Sequence, residues 1–144
     1  HRRAGRPSVR PAERDRPVVS VQADANGWQP FGANEYDLVA AHYASIPRTP
    51  DNRGIDNMLV AVAPGGTLLV VGHDLEPMRH PIDMNQQSRA FDPDAYVRVD
   101  DVVASLTQSA DWHIEVHERR RRAPGHASSS HHVDDIVLRA RRLR

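Results

Sequence analysis

Apolar residues along the chain form short blocks separated by turn residues. A valine-rich run, followed by Asn-Gly, predicts a strand over residues 18–23. Residues 37–42 and 67–72 are nearly continuous apolar runs, which are typical of strands covered on both faces of a parallel sheet. The first half of the chain is therefore predicted to contribute three parallel strands.

A helix is predicted between the second and third of these strands. Thr49 is expected to cap it, with Pro50 in the first helical position, and the Pro-Gly-Gly at residues 64–66 is expected to end it. Apolar residues recur between them at helical spacing, at Ile55, Met58, Leu59 and Val62. A strand, a helix and a strand in this order predict a βαβ crossover, which joins parallel neighbours.

The second half of the chain has a different pattern. Residues 75–98 have no periodicity and include three prolines, so they are predicted to form a loop. A short helix is predicted from Asp100, and strands are predicted over residues 112–118 and 133–139. The connection between these two strands is too short for a crossover helix, which predicts an antiparallel hairpin. The fold class is α/β, with a mostly parallel sheet that ends in this hairpin.

Composition divides the chain at residue 17. Residues 1–16 contain six arginines and two prolines and almost nothing apolar, so they are predicted to form a disordered Arg/Pro-rich arm. A solvated tail is favoured over a phosphate-binding arm. Residues 17–144 are long enough for a single α/β domain with one core.

The overall composition excludes several classes of chemistry. The chain has no cysteine, and all nineteen basic residues are arginine, so disulfides, thiolate chemistry and lysine Schiff bases are excluded. Nineteen acidic residues balance the charge, so no global field favours nucleic acid or an anionic membrane. No apolar run has the length of a membrane span or a signal peptide. The expectation is a soluble, cytoplasmic protein that binds neither nucleic acid nor membrane.

Four segments in order resemble the C-terminal two-thirds of a class I S-adenosylmethionine-dependent methyltransferase. They are VQADA at residues 21–25, YDLV at 36–39, VAPGGTLLVV at 62–71 and DDIVLRARR at 134–142. The resemblance covers residues 17–144, which it identifies as a partial methyltransferase-like domain. It implies a Rossmann-like sheet, the cofactor S-adenosylmethionine and transfer of its methyl group to a small-molecule acceptor.

The chain departs from this family in one respect. The glycine-rich GxGxG loop after the family's first strand is absent, and so is the acid that ends its second strand. The N-terminal βα units are therefore expected to be missing from this chain, and with them half of the cofactor site. The alternative function is a catalytically inactive α/β remnant that serves as a binding or dimerisation module. An exposed sheet edge left by missing strands predicts self-association.

The resemblance also implies roles for individual residues. The Asp24 carboxylate would accept a hydrogen bond from the adenine amino group, and the backbone N–H of Ala25 would meet a ring nitrogen. Ala41 and His42, at the end of the next strand, would lie beside the cofactor. His42 and His73 are the candidate catalytic bases and are expected to line one crevice, because the carboxyl ends of parallel strands meet at the same edge. The structural alternatives are a turn-initiating aspartate and packed histidines.

Three other polar features of the sequence are predicted to have structural roles. Asp37 opens its strand at the end away from the crevice, which favours a structural role. His113 and His117 lie four residues apart on a predicted strand, about 13 Å at 3.3 Å per residue, which is too far for one metal ion. The arginines at residues 119–122 are predicted to lie in a solvated, ion-paired hairpin rather than to bind phosphate.

Overall fold

A computed structural model describes residues 17–76, 92–122 and 134–144. The predicted arm at residues 1–16 and much of the predicted 75–98 loop lie outside the described residues. The elements are β1 (Tyr36–His42), α1 (Arg53–Ala61), β2 (Val62–His73), a 3-10 turn (Pro93–Ala95), α2 (Val99–Thr107), β3 (Trp112–Arg121) and β4 (Asp134–Arg142).

The four strands form one sheet in the order β1-β2-β4-β3. β1 runs parallel to β2, with Leu38 opposite Thr67 and His42 opposite Val71, as the βαβ pattern predicts. β3 and β4 form the predicted antiparallel hairpin, with Trp112 opposite Arg142. The prediction of a mostly parallel sheet is wrong for the described strands. β4 lies antiparallel between β2 and β3, so two of the three pairings are antiparallel.

The strand predicted over residues 18–23 does not form. Val18 is 93% exposed, Val21 is 82% exposed, and the segment has no strand pairing. The preference of valine for strands depends on a neighbouring strand against which the side chain packs. No described strand lies beside these valines, so the local pattern alone does not produce a strand.

Helix α1 begins three residues later than the Pro50 start that the sequence predicts. Asn52 precedes the helix in the left-handed conformation, with φ 54°. The hydroxyl of Thr49 nevertheless accepts a hydrogen bond from the backbone N–H of Arg53 at 3.0 Å. Thr49 therefore satisfies a first-turn N–H, as expected of a cap, although the helix itself starts at Arg53.

Both helices pack on one face of the sheet. Leu68 and Val70 alternate toward this face from β2, and they lie opposite Ala140 and Leu138 of β4. The core formed there also contains Ile55, Met58, Val62, Val99, Val102 and Leu106. The other face has half-buried residues such as Val71 and Val137, and neither described helix covers it. No described helix is long and apolar enough to cross a membrane.

The described sheet has β1 at one edge and β3 at the other. β1 pairs only with β2 among the described strands. Its apolar side chains are unusually open for a strand: Tyr36 is 45% exposed and Leu38 is 57% exposed. The candidate site includes the carboxyl end of this edge strand.

Candidate functional site

The parallel strands β1 and β2 end at the same edge of the sheet. His42 and His73 are their last residues. Tyr43 continues past β1, because its backbone N–H donates to the Val71 carbonyl at 2.8 Å. Its φ of 52° lies in the left-handed region, which turns the chain immediately after His42.

Residues 24–27 form a tight turn, called here the 24–27 turn. One carboxylate oxygen of Asp24 accepts from the backbone N–H of Asn26 at 2.9 Å, and the Asp24 carbonyl accepts from the N–H of Gly27 at 2.9 Å. Asp24 therefore initiates the turn, which is the structural role predicted as the alternative to adenine binding. Its side chain is exposed, and only Oδ1 takes part in the turn. The turn role and an adenine-binding role for Asp24 are thus compatible.

Asn57 holds the 24–27 turn against helix α1. Its side-chain amide donates to the Ala25 carbonyl at 2.8 Å and to the Gly27 carbonyl at 3.1 Å. Asn26 makes a further contact by donating to the Pro47 carbonyl at 2.9 Å. Asn57 was not among the residues predicted from the sequence. The only signal in the sequence is an amide between the apolar Ile55 and Met58 of an amphipathic helix.

A cavity of about 530 Å³ lies along the open edge of β1, next to this turn. Three of the four predicted cofactor-binding residues line it together: Ala25, Ala41 and His42. Asp24 is their immediate neighbour in the chain. The other walls are largely apolar and include Phe31, Leu38, Ile46 and Met58. An apolar cavity with a polar turn at its rim suits a flat heteroaromatic ring, which has apolar faces and a polar edge.

A second group of polar side chains lies at the carboxyl end of β2. It is called the β2-end cluster and contains Tyr43, His73, Arg122 and Asp135. Oδ2 of Asp135 accepts from the Tyr43 hydroxyl at 2.9 Å and from Nε of Arg122 at 3.0 Å. The rings of Tyr43 and His73 stack with centroids 4.5 Å apart, and the Arg122 guanidinium lies 5.3 Å from the Tyr43 ring centroid. His73 ends β2 and Asp135 lies at the start of β4, whereas Tyr43 follows β1 and Arg122 follows β3.

The charges in this cluster stabilise one another. Burial raises the pKa of the Asp135 carboxyl, but the hydrogen bonds from Arg122 and Tyr43 outweigh burial, so its pKa lies below the ordinary value. The hydrogen bond to Asp135 raises the pKa of Arg122 in turn. Asp135 is therefore a carboxylate at neutral pH, although its side chain is only 14% exposed.

His42 and His73 line two adjoining cavities. His42 lines the cavity along β1, and His73 lines an adjoining cavity of about 100 Å³. The two cavities share walls formed by Ala41, Ala44, Ile46 and Met58. A crevice shared by the two histidines stays a prediction. The left-handed turn at Tyr43 places an aromatic ring against His73, so the two histidines face different surroundings.

Three of the four consecutive arginines at residues 119–122 have acidic partners. Arg119 lies 3.0 Å from the buried carboxylate of Asp74, and Arg122 pairs with Asp135. Arg120 pairs with Glu118. The predicted ion-paired hairpin is confirmed at these positions. Within the described ranges, no three histidine or acidic side chains are grouped so as to hold a metal ion.

Comparisons with known proteins identify the fold. No family model matches the chain, and no curated protein matches it. Solved structures do match: the N-methyltransferase NodS from Bradyrhizobium japonicum WM9 is 19% identical with a TM-score of 0.52, over 84% of this chain and 57% of its own. An S-adenosylmethionine-dependent methyltransferase from Methanosarcina mazei is 17% identical with a TM-score of 0.53, over 83% of this chain and 65% of its own.

These matches confirm the resemblance at the level of the fold. The described sheet and helices have a class I S-adenosylmethionine-dependent methyltransferase fold. The chain spans 57% and 65% of the lengths of the two solved proteins, so it corresponds to a part of each.

Proposed function

We propose that this chain forms part of an S-adenosylmethionine-dependent methyltransferase that acts on a small-molecule acceptor. The observation that carries the proposal is the position of the 530 Å³ cavity within this fold. The cavity runs along the edge strand β1 from Tyr36 to His42 and is also lined by Ala25, and Ala41 and His42 lie at the carboxyl end of this strand. Ligands of open α/β sheets bind at this end of the strands.

The groups at the 24–27 turn are complementary to the edge of an adenine base. The exposed Asp24 carboxylate is an acceptor, and the backbone N–H of Ala25 beside it is a donor, whereas adenine offers an amino donor next to a ring-nitrogen acceptor. The apolar wall formed by residues such as Phe31 and Ile46 would contact the faces of the ring. When bound, the cofactor would supply an electrophilic methyl group on a sulfonium.

This chain alone offers little to the anionic end of the cofactor. Its sequence contains no glycine-rich loop whose backbone N–H groups, at a helix N-terminus, would hold a carboxylate. A hydrogen bond contributes about 0.5–1.5 kcal/mol, or about 1.5–3 kcal/mol when one partner is charged. Two such contacts, less the cost of immobilising the ligand, correspond to a Kd of about millimolar at best.

His42 and His73 are proposed to serve the acceptor rather than the cofactor. A histidine is suited to take up the proton that an amine or hydroxyl loses on methylation. His42 is exposed at the end of the 530 Å³ cavity, and His73 lies on the adjacent strand. Methyl transfer further requires that the reacting atoms be held close and in line.

The test is to restore the missing half of the site. A chimera that adds an N-terminal strand with a glycine-rich loop is expected to bind S-adenosylhomocysteine at least tenfold more tightly than residues 1–144, measured by calorimetry. Asp24→Ala should reverse much of this gain. Asp37→Ala is the matched control, because Asp37 is an exposed acid at the opposite end of β1. An equal loss in both variants, or no gain in the chimera, contradicts the proposal.

The open edge of β1 supports a second function, association with another copy of the chain. Unpaired strand edges with exposed apolar residues favour pairing with another strand. An antiparallel pairing of two β1 strands, centred between Val39 and Ala40, would set Asp37 of each copy opposite His42 of the other. Opposite charges across such a pair are favourable when the histidine is protonated.

Sedimentation velocity tests this association. Leu38→Lys adds a charge to the exposed edge and should convert dimers to monomers. Val60→Lys is the control, because Val60 is similarly exposed but lies on α1. A wild-type protein that is monomeric at every concentration, or dimers that survive Leu38→Lys, would exclude this edge as the interface.

A further inference from the structure

The 24–27 turn lies against helix α1, which fixes its position. The chain before the turn gives it no such support, because residues 18–23 pair with no described strand. From α1, the side-chain amide of Asn57 donates to the Ala25 carbonyl at 2.8 Å and to the Gly27 carbonyl at 3.1 Å. These carbonyls flank Asn26, so two bonds from one helix residue hold the middle of the turn.

Gly54 allows the turn to approach the helix closely. It is buried on α1, where a Cβ atom would lie 2.6 Å from Oδ1 of Asn26 and 2.8 Å from Cγ2 of Ile46. Non-bonded heavy atoms do not pack at such distances, so one of the groups has to move. The Asn26 side chain is held in place, because its amide donates to the Pro47 carbonyl at 2.9 Å. Any side chain at position 54 therefore pushes the turn, Ile46 or both away from α1.

The hydrogen bonds within the turn leave two groups for a ligand. They use the N–H groups of its last two residues as donors, and Oδ1 and the carbonyl of Asp24 as acceptors. Oδ2 of Asp24 and the backbone N–H of Ala25 take no part in them. Ala25 lines the 530 Å³ cavity, whereas Gly54 and Asn57 do not. The two α1 residues therefore act on a ligand in this cavity only through the turn.

We propose that Gly54 and Asn57 are positioning residues for adenine recognition, and that by holding the turn they make the site selective for adenine over hypoxanthine. Adenine presents an amino donor beside a ring-nitrogen acceptor, whereas hypoxanthine presents a carbonyl acceptor beside a ring N–H donor. The Asp24 carboxylate and the Ala25 N–H match the first edge and oppose the second at both points. The inference rests on the proposed function and narrows it to one base.

A fixed turn discriminates between the two bases better than a mobile one. In a mobile turn the Asp24 carboxylate can move to the ring N–H of hypoxanthine and accept a hydrogen bond from it, so the wrong base also finds a partner. A turn held by α1 lacks this freedom, and the mismatched base leaves the carboxylate and the Ala25 N–H unpaired. Holding the turn also strengthens adenine binding, because the turn is ordered before the ligand arrives.

Two substitutions on α1 release the turn by different means. Asn57→Leu keeps a branched side chain of similar shape and removes both hydrogen bonds to the turn. Gly54→Ala leaves these donors in place and adds the Cβ atom that displaces the turn. Alanine and leucine both have a higher helix propensity than the residues they replace. Weaker binding in these variants therefore does not follow from a weaker helix.

Amide ¹H–¹⁵N titrations of labelled residues 1–144 with adenosine and with inosine, which carries hypoxanthine, measure this selectivity. The wild type should bind adenosine at least about fivefold more tightly than inosine, because inosine loses the hydrogen bonds of the edge. In Gly54→Ala and in Asn57→Leu, this ratio should fall to about twofold or less. Two controls should retain the wild-type ratio. Asp56→Ala is an exposed change between them, and Val103→Ala lowers stability from α2, where Val103 is half-buried against the core.

Selectivity that survives in both α1 variants would overturn the inference, and so would a wild type that binds the two nucleosides equally. A loss of selectivity in Val103→Ala as large as in the α1 variants would also overturn it, because the effect would then follow stability. The comparison needs only one α1 variant to fold. If adenosine shifts no amide of the turn in the wild type, the proposed adenine site fails and this inference fails with it. Retained selectivity in the variants, in contrast, contradicts this inference alone.

Discussion

The 24–27 turn and the β2-end cluster both contain an aspartate near a strand end, but their surroundings differ. Asp24 is exposed, and one of its oxygens makes a bond within its own turn. Asp135 is mostly buried and accepts hydrogen bonds from two other elements. The turn leaves groups available to a ligand, whereas the cluster satisfies most of its groups internally. The first arrangement is suited to recognition and the second to holding neighbouring strand ends together.

The difference also determines what each site contributes to stability. Removing Asp24 affects a local turn, whereas removing Asp135 takes away the carboxylate that the Tyr43 hydroxyl and the Arg122 guanidinium share. Substitutions at the cluster should therefore destabilise the fold more than substitutions at the turn.

The largest expected effect is that of Asp135→Ala. The Tyr43 hydroxyl and the Arg122 guanidinium lose the carboxylate that they share, and the free energy of unfolding should fall by roughly 1–3 kcal/mol. Urea denaturation followed by circular dichroism measures this change. Asp100→Ala, which removes an exposed ion-pair partner, should change stability by no more than about 0.5 kcal/mol. Equal effects of the two variants would remove the distinction between the cluster and an ordinary surface pair.

Asn57→Ala tests how firmly the 24–27 turn is held. The variant removes both hydrogen bonds to the Ala25 and Gly27 carbonyls, each contributing about 0.5–1.5 kcal/mol. The free energy of unfolding should fall by this combined amount, and the amides of the turn should exchange faster with solvent. Asp56→Ala, an exposed change on the same helix, should cost only a few tenths of a kcal/mol. Unchanged exchange in Asn57→Ala would mean that the turn is held by other contacts.

Acidification should lower the free energy of unfolding through the β2-end cluster, because Asp135 has a lowered pKa there. Its folded-state pKa lies below the ordinary value, so its contribution to stability is fully present above pH 4 or so and is lost as the pH falls through the lowered pKa. Asp135→Asn should flatten this part of the pH dependence of the urea midpoint. Asp51→Asn is the control: a hydrogen bond from Thr49 lowers the pKa of Asp51, but this residue lies on the exposed surface. A steeper acid loss in the Asp135→Asn variant would contradict the assignment.

Asp24→Ala should have the smallest effect on stability. It removes one side-chain hydrogen bond within an exposed turn, so unfolding should become easier by about 0.5–1 kcal/mol at most. Adenosine binding, followed by amide shifts, should nevertheless be lost. A variant that binds adenosine as the wild type does would show that Asp24 serves the turn alone.

The sequence predicted those parts of the fold that depend on local patterns. The parallel pairing of β1 with β2 followed from two apolar runs joined by one amphipathic helix, and the hairpin of β3 with β4 followed from a short connection. Residues 18–23 have the same kind of pattern but form no strand, because a strand also requires a neighbour and the described chain provides none there.

The candidate site was predictable only in part, because some of its contacts join residues that are far apart in the chain. Ala25, Ala41 and His42 were found from the resemblance, and the structure brings them to one cavity. Asn57 and Asp135 were missed, because they act on residues far away in the chain: Asn57 on the 24–27 turn and Asp135 on Tyr43. No periodicity or motif marks such contacts, which arise only from packing.

A titration of labelled residues 1–144 with S-adenosylhomocysteine, followed by amide ¹H–¹⁵N spectra, tests the central claim most directly. We expect shifts at Ala25, Gly27, Ala41 and His42, with a Kd of about millimolar or weaker, because only the adenine end finds partners. Shifts confined to other parts of the chain would contradict an adenine site at the 24–27 turn. A micromolar Kd would also contradict the account, because some other segment of the chain would then have to hold the anionic end of the ligand.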